Sequence, residues 1–259
     1  MAAPKTKSTI LTAFVLDFET GGLDCQTCGA TQLSIHAVRM DTFEVMNTLN
    51  IYFAPYAYQE MEKPKRKTLK SKYDIEEPKM MEYGERAFDV SGLNMEILET
   101  KGLPLMEACE KILQFIKDNT FDVKKNSRPI LVGQNIMFDI GFLTQIFVYT
   151  GLWNELTKLL RGIKDYWGNW QPYYLDTIVF AQFAMCHNLE IESWSLGEIC
   201  ERLGIELDDA HDADADTEAT REIVKVLTAR MRNEETDSEN GTSSMVSTKK
   251  QKTREHFKI

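Results

Sequence analysis

The residues in this chain best suited to chemistry are acidic and fall in four short clusters. They are Asp17-Phe18-Glu19-Thr20-Gly21, Asn135-Ile136-Met137-Phe138-Asp139, Asp176-Thr177 and His211-Asp212-Ala213-Asp214-Ala215-Asp216. Asp17 and Glu19 end the apolar run Ile10-Leu11-Thr12-Ala13-Phe14-Val15-Leu16, whose β-branched and aromatic content predicts a buried central strand. At a spacing of two they share one face of the pleat, and carboxylates are seldom buried unless paired or bound to a cation. Such a set suits two hard divalent ions, Mg²⁺ or Mn²⁺, which prefer oxygen ligands. Two ions about 3.5 to 4 Å apart supply what phosphodiester hydrolysis needs: an activated water, neutralised non-bridging oxygens and a stabilised leaving oxygen.

The order D-x-E-T-G, N-x-x-x-D, H-x-A-x-x-D resembles the DEDDh exonucleases of the DnaQ-like superfamily, over roughly residues 8 to 231. Each motif alone is weak; their order and spacing together are specific. The resemblance implies a ribonuclease H-like α/β fold, with a five-stranded mixed sheet flanked by helices. It also implies 3′→5′ release of nucleoside monophosphates from single-stranded DNA or RNA ends, DNA being favoured. Within it Asp17 would bridge both ions, Glu19 and Asp216 would complete one site, and Asp139 would serve the other. His211 would be the general base, because an imidazole of pKa about 6.5 is largely neutral near physiological pH. Two positions depart from the family pattern: Gln134 where His is common, and Ser34 where Glu is common. Neither is a proposed ligand, so they bear on substrate handling.

The elements that must hold these residues are legible in outline. Thr31–Arg39 alternates polar and apolar residues, as does the stretch from Phe43 to Phe53, which predicts a three-strand meander with the first strand. Residues 105–116 repeat apolar side chains at helical spacing after Pro104. Arg128–Gly133 reads as a short buried strand, and Asn135 as the cap of a helix carrying Asp139 in its first turn. Tyr173–Thr177 reads as a last strand entering a helix, with Asp176 as a structural neighbour of the site. Another short helix is predicted from Trp194 to Leu203. A final helix begins near Asp214, capped by Asp212 or Asp214, and places Asp216 in its first turns, where the helix dipole favours an ionised carboxylate.

A chain of 259 residues suits one α/β domain with tails: a flexible segment at 1–7, the domain at 8–231 and a polar tail at 232–259. Inside the domain, about 56–84 reads as a basic insertion. The composition, 43% hydrophobic and 27% charged, is that of a soluble globular protein, and no apolar run approaches a membrane span. With no secretory signal, the expected location is cytoplasmic. The net charge of −10 argues against bulk coating of nucleic acid, although a local basic surface or bound cations would still admit a strand. Five cysteines in such a chain favour free thiols, and Cys25-x-x-Cys28 lacks the second pair that structural zinc requires.

Substrate contacts are expected at Phe18, at the Thr20-Gly21-Gly22 backbone and at Asn135. Lys65, Arg66 and Lys67, interleaved with tyrosines, would add phosphate contacts. A solvated insertion explains the lysines equally well. Trp153, Trp167, Trp170 and Tyr173 read mainly as core aromatics, with a channel lining as the alternative. A polymerase or another replication protein is the expected partner class. The second functional reading is a non-catalytic nucleic-acid- or polymerase-binding module on the same fold; five intact site residues argue against it.

Overall fold

The computed structural model describes residues 11–60, 79–121, 127–207 and 212–232. The expectations for Lys65, Arg66, Lys67, His211, the first seven residues and the tail from 233 onward fall outside them. At the centre lies β1, Thr12–Thr20, paired antiparallel with β2, Ala30–Arg39, and parallel with β4, Ile130–Gly133. The outer strands are β3, Val45–Tyr52, beside β2, and β7, Tyr174–Asp176, parallel to β4. The order β3-β2-β1-β4-β7 is the expected five-stranded mixed sheet.

The alternation of β1 assigns its two faces. Phe14, Leu16 and Phe18 enter the main core, under α3, Leu105–Asp118, α4, Met137–Tyr149, and α5, Trp153–Leu159. Ala13 and Val15 enter a smaller cluster on the other face, with Val224 of α8, Ala213–Arg232. By the same period of two, Asp17 and Glu19 point to the α8 side. Helix α8 packs in turn on α6, Thr177–Ala184, and α7, Leu196–Leu203, so helices cover both sides of the sheet.

That double cover explains a difference from the sequence reading. Strand β2 is buried at nine of its ten positions rather than at alternate ones, since its polar residues Gln32, Ser34 and His36 are enclosed too. The short helices α1, Glu85–Ser91, and α2, Met95–Lys101, the helix α5, and a hairpin of β5, Gly162–Lys164, and β6, Trp170–Pro172, carry too little periodic pattern to be read from sequence. Trp153 and Trp170 do pack against the core, edge to face with each other, whereas Trp167 is 81% exposed at the hairpin tip, contrary to its reading as a core ring.

The buried polar residues of β2 hold α8 in place. His36 Nε2 lies 2.9 Å from Asp214 Oδ1, which also accepts from the Ser34 hydroxyl at 2.9 Å. His36 Nδ1 lies 3.5 Å from Glu218 Oε2. Glu218 is paired with Arg221, and Arg221 donates to the Phe43 carbonyl. Asp214, Glu218 and Arg221 recur at helical spacing on one stripe of α8. Burial works against the charge on His36, but its two acidic partners outweigh it and raise its pKa above 6.5. The Arg221 guanidinium, then His36, hold Glu218 at about 2, below its ordinary 4.5.

The sign follows from linkage. The His36 contribution to stability is complete below its unfolded pKa and fades as pH rises through the raised folded value, while that of Glu218 fades only as pH falls through about 2. Replacing His36 by Gln should therefore lower the melting temperature more at about pH 5.5 than at about pH 8.5. An equal loss at both would show that protonated His36 has no part in fastening α8.

Candidate active site

The carboxyl ends of the three parallel strands meet at one place, where open α/β sheets commonly bind ligands. Strand β1 brings Asp17 and Glu19, β4 runs through Gly133 into the turn before α4, and β7 ends on Asp176. Helix α8 starts alongside. Its entry is capped by Asp212, whose Oδ1 accepts from the Asp214 N–H at 2.9 Å and the Ala215 N–H at 3.3 Å. This fixes the first turn and with it Asp216.

Asp17, Glu19 and Asp216 each present a carboxylate oxygen, and the three atoms lie within 4.8 Å of one another. Asp139, in the first turn of α4, is 2% exposed and accepts from the Phe18 N–H at 3.0 Å. That bond ties α4 to β1 between the two carboxylate residues of that strand. Asp139 stands outside the 4.8 Å group, yet after burial its charge is the largest influence on Asp17.

Electrostatically the cluster is under strain. Burial, then Asp139, Asp216 and Glu19, push Asp17 well above the usual carboxylate range. Burial, with Asp216 and Asp212, pushes Glu19 from 4.5 to about 7. Burial likewise raises Asp139, against two backbone N–H bonds that favour its charged form. Carboxylates gathered in a low-dielectric site repel one another, and a bound cation would let them ionise together near neutrality. An all-oxygen donor set fits Mg²⁺ or Mn²⁺. Asp17, Glu19 and Asp216 are placed so that they could hold such an ion.

The surrounding residues differ from their sequence expectations in instructive ways. Asn135 does not cap α4: the helix opens at Ile136 with no side-chain cap, and Asn135 sits at φ 54°, in the left-handed region that Asn tolerates better than most residues. Its N–H reaches Asp176 Oδ1 at 3.3 Å, its carbonyl accepts from the Phe138 N–H, and its side chain is exposed beside the turn. Asp176 also caps α6 by accepting from the Ile178 N–H at 2.9 Å, in keeping with a structural role. The Phe18 ring stacks on Phe53 in the core, which removes the expected side-chain contact with a substrate and leaves its backbone N–H as its part in the site. Thr20 donates its hydroxyl to the Gly22 carbonyl. A Cβ at Gly21 would meet the Glu82 carbonyl at 2.5 Å, so close packing by the 82–84 segment requires glycine there.

Two buried or half-buried glutamines organise this region, of which sequence reasoning passed over Gln145. Gln145 of α4, fully buried, donates to the Cys25 and Cys28 carbonyls and accepts from the Tyr56 hydroxyl at 2.6 Å. It thereby pins the loop after β1 to the helix of Asp139. Gln134, one of the family departures, accepts from Thr177 and donates to the Trp194 carbonyl at 3.0 Å, joining the β4 turn to α6 and the α7 approach. A polar residue inside an apolar helix is the one signal that pointed to Gln145. Cys25 and Cys28 are free thiols.

This sheet and its flanking helices make a ribonuclease H-like fold, the class the sequence resemblance implied. Solved structures with the same fold include E. coli exonuclease I in its zinc-bound complex with single-stranded DNA, at TM-score 0.58, 19% identity and coverage of 86% of this chain and 41% of that one. They also include E. coli exonuclease I with a thymidine oligonucleotide, at TM-score 0.58 and 19% identity over 86% and 42% of the two chains. A third is an exonuclease I complex with the C-terminus of the single-strand-binding protein, at TM-score 0.55 and 18% identity over 86% and 42%. The present chain thus spans about two fifths of the length of these neighbours. No protein-family profile matches the sequence, and no curated protein matches it either. Among the described residues no helix is long and apolar enough to cross a membrane.

Raised carboxylate pKa values make a prediction for the chelated protein. The Glu19 contribution to stability is complete below about pH 4.5 and fades as pH rises through about 7, and the raised Asp17 and Asp139 act in the same direction. Replacing Asp17 by Asn should raise the melting temperature in EDTA at neutral pH by removing one repelling charge. The same variant should lose the upward shift that Mn²⁺ gives the wild type. A variant that melts lower in EDTA and still responds fully to Mn²⁺ would exclude these carboxylates as the cation site.

Proposed function

We propose that this chain is a DEDDh exonuclease that hydrolyses phosphodiester bonds at single-stranded 3′ ends and releases nucleoside monophosphates, with DNA preferred over RNA. The observation that carries this reading is the close convergence of Asp17, Glu19 and Asp216 at the open end of a ribonuclease H-like sheet. The solved exonuclease I complexes with single-stranded DNA, built on the same fold, support the choice of substrate. Two divalent ions, when bound, would activate the attacking water and neutralise the charge developing on the scissile phosphate.

The remaining work falls to the chain's own groups. Asp17, Glu19, Asp139 and Asp216 would hold the ions, and the Asp139 bond to the Phe18 N–H keeps α4 and β1 in register. His211, immediately before the Asp212 cap, takes a proton from the water on its imidazole nitrogen. The Gly21 backbone and the exposed Asn135 side chain flank the terminal nucleotide, and Lys65, Arg66 and Lys67 meet the phosphates behind it. A replication protein is the expected partner, by analogy with the neighbour solved with the single-strand-binding C-terminus.

The test is degradation of 5′-labelled single strands of DNA and RNA in Mg²⁺, Mn²⁺ or EDTA. Shortening from the 3′ end should require a divalent ion and vanish in Asp17→Ala. His211→Ala should retain Mn²⁺ binding by calorimetry while slowing cleavage by a factor on the order of 10² to 10⁴. A folded, cation-loaded wild type that shortens neither strand would instead be a binding module on a nuclease fold.

A further inference from the structure

Six aromatic side chains are exposed among the described residues: Phe121, Tyr166, Trp167, Tyr173, Tyr174 and Phe183. Four of them fall between positions 166 and 174, on or next to the β5–β6 hairpin and the edge strand β7. Tyr166 is 95% and Trp167 81% exposed, with ring centroids 5.8 Å apart at 89°. Rings of this size left in water at a tip are a cost to the monomer, and they mark interaction sites when they cluster.

The tip is built to hold them there. Asp165 accepts from the Asn169 N–H at 2.8 Å and from its side-chain amide at 3.0 Å, and the Asp165 N–H donates to the Asn169 carbonyl. Gly168 takes φ 87° to close the turn. At the base, Trp170 lies across Gly162, where a Cβ would meet its ring at 2.3 Å, and packs edge to face on Trp153. The turn thus fixes the backbone that presents both rings.

Cations accompany the rings. Lys164 is exposed on β5, and the Arg161 guanidinium lies 5.1 Å from the centroid of the Tyr173 ring. From 161 to 173 the charges are Arg161, Lys164 and Asp165, a net +1 in a chain of net −10, and Asp165 is engaged within the turn. The hairpin runs straight into β7, whose last residue, Asp176, bonds the turn before the α4 helix of Asp139. Nine residue steps separate Trp167 from Asp176, at most about 30 Å at an extended rise of about 3.3 Å per residue.

We propose that the β5–β6 hairpin is a second binding platform for the single strand: bases stack on Trp167 and Tyr166, and Lys164 and Arg161 meet the adjoining phosphates. This rests on the nuclease reading above and adds to it a grip on nucleotides far from the cleaved end. Stacked faces interleaved with cations are the chemistry that holds single strands without regard to sequence. A local positive excess on an acidic protein steers a polyanion to the tip.

The experiment measures binding of labelled oligothymidylates of about four and about sixteen nucleotides to the full chain in EDTA, by fluorescence anisotropy. Wild type should bind the longer strand more tightly by at least about tenfold, and the double variant Tyr166→Ala/Trp167→Ala should lose most of that advantage. Trp167→Phe should retain much of it, and Lys164→Glu, which leaves the rings in place, should weaken long-strand binding. An unchanged length advantage in the double variant, with wild-type cleavage of single strands intact, overturns the platform alone and turns the tip over to a protein partner. A wild type that neither binds nor shortens single strands of any length overturns the nuclease reading and the platform together.

Discussion

The structure turns on the mutual repulsion of carboxylates that the fold forces together at the end of β1. Asp17, Glu19, Asp139 and Asp216 come from three separate elements and crowd one end of the sheet, where burial and the charges of Asp139, Asp216 and Glu19 raise Asp17, Asp216 raises Glu19 and Glu19 raises Asp139. A protein selected for stability alone would place apolar side chains there, because a buried charge without a partner is among the costliest features of an interior. The cluster makes sense as a stored demand for cations, and the polar supports around it act to keep its members from moving apart.

Those supports act at different places. The His36, Ser34, Asp214, Glu218 and Arg221 network fastens α8 to β2, so Asp216 cannot withdraw from β1 by a simple tilt of the helix. The Asp139 bond to the Phe18 N–H does the same for α4 on the other side of the sheet. Gln145 and Tyr56 hold the loop after Glu19, and Asp176 holds the turn at Asn135. Beneath them, Phe14, Leu16 and Phe18 on the opposite face of β1 anchor the strand in the largest apolar cluster. One strand serves both tasks because its side chains alternate between faces.

Much of this was legible from residue order. The D-x-E motif after an apolar run gave a central strand with two carboxylates on one face, and the start of the last helix was legible at Asp212 or Asp214, of which Asp212 is the cap. Asn135 misled, because a cap and a left-handed turn residue draw on the same small polar side chains. Strand β2 was legible as part of the meander, but what its polar residues meet was not: Ser34 and His36 bond a helix residue almost 180 positions later. The hairpin with Tyr166 and Trp167 left no periodic trace, since three-residue strands are too short to show one.

The sequence by itself determined the carboxylates, their pairing on β1 and the superfamily resemblance, because those follow from residue type and local spacing. Only the tertiary structure decided that Asp216 reaches Asp17 and Glu19, that His36 lies between two acids of α8, that the Phe18 ring belongs to the core, and that Trp167 stands in solvent. Each of these depends on which distant segment covers a given face. The covering is a collective outcome of packing both sides of the sheet, and no single stretch of chain encodes it.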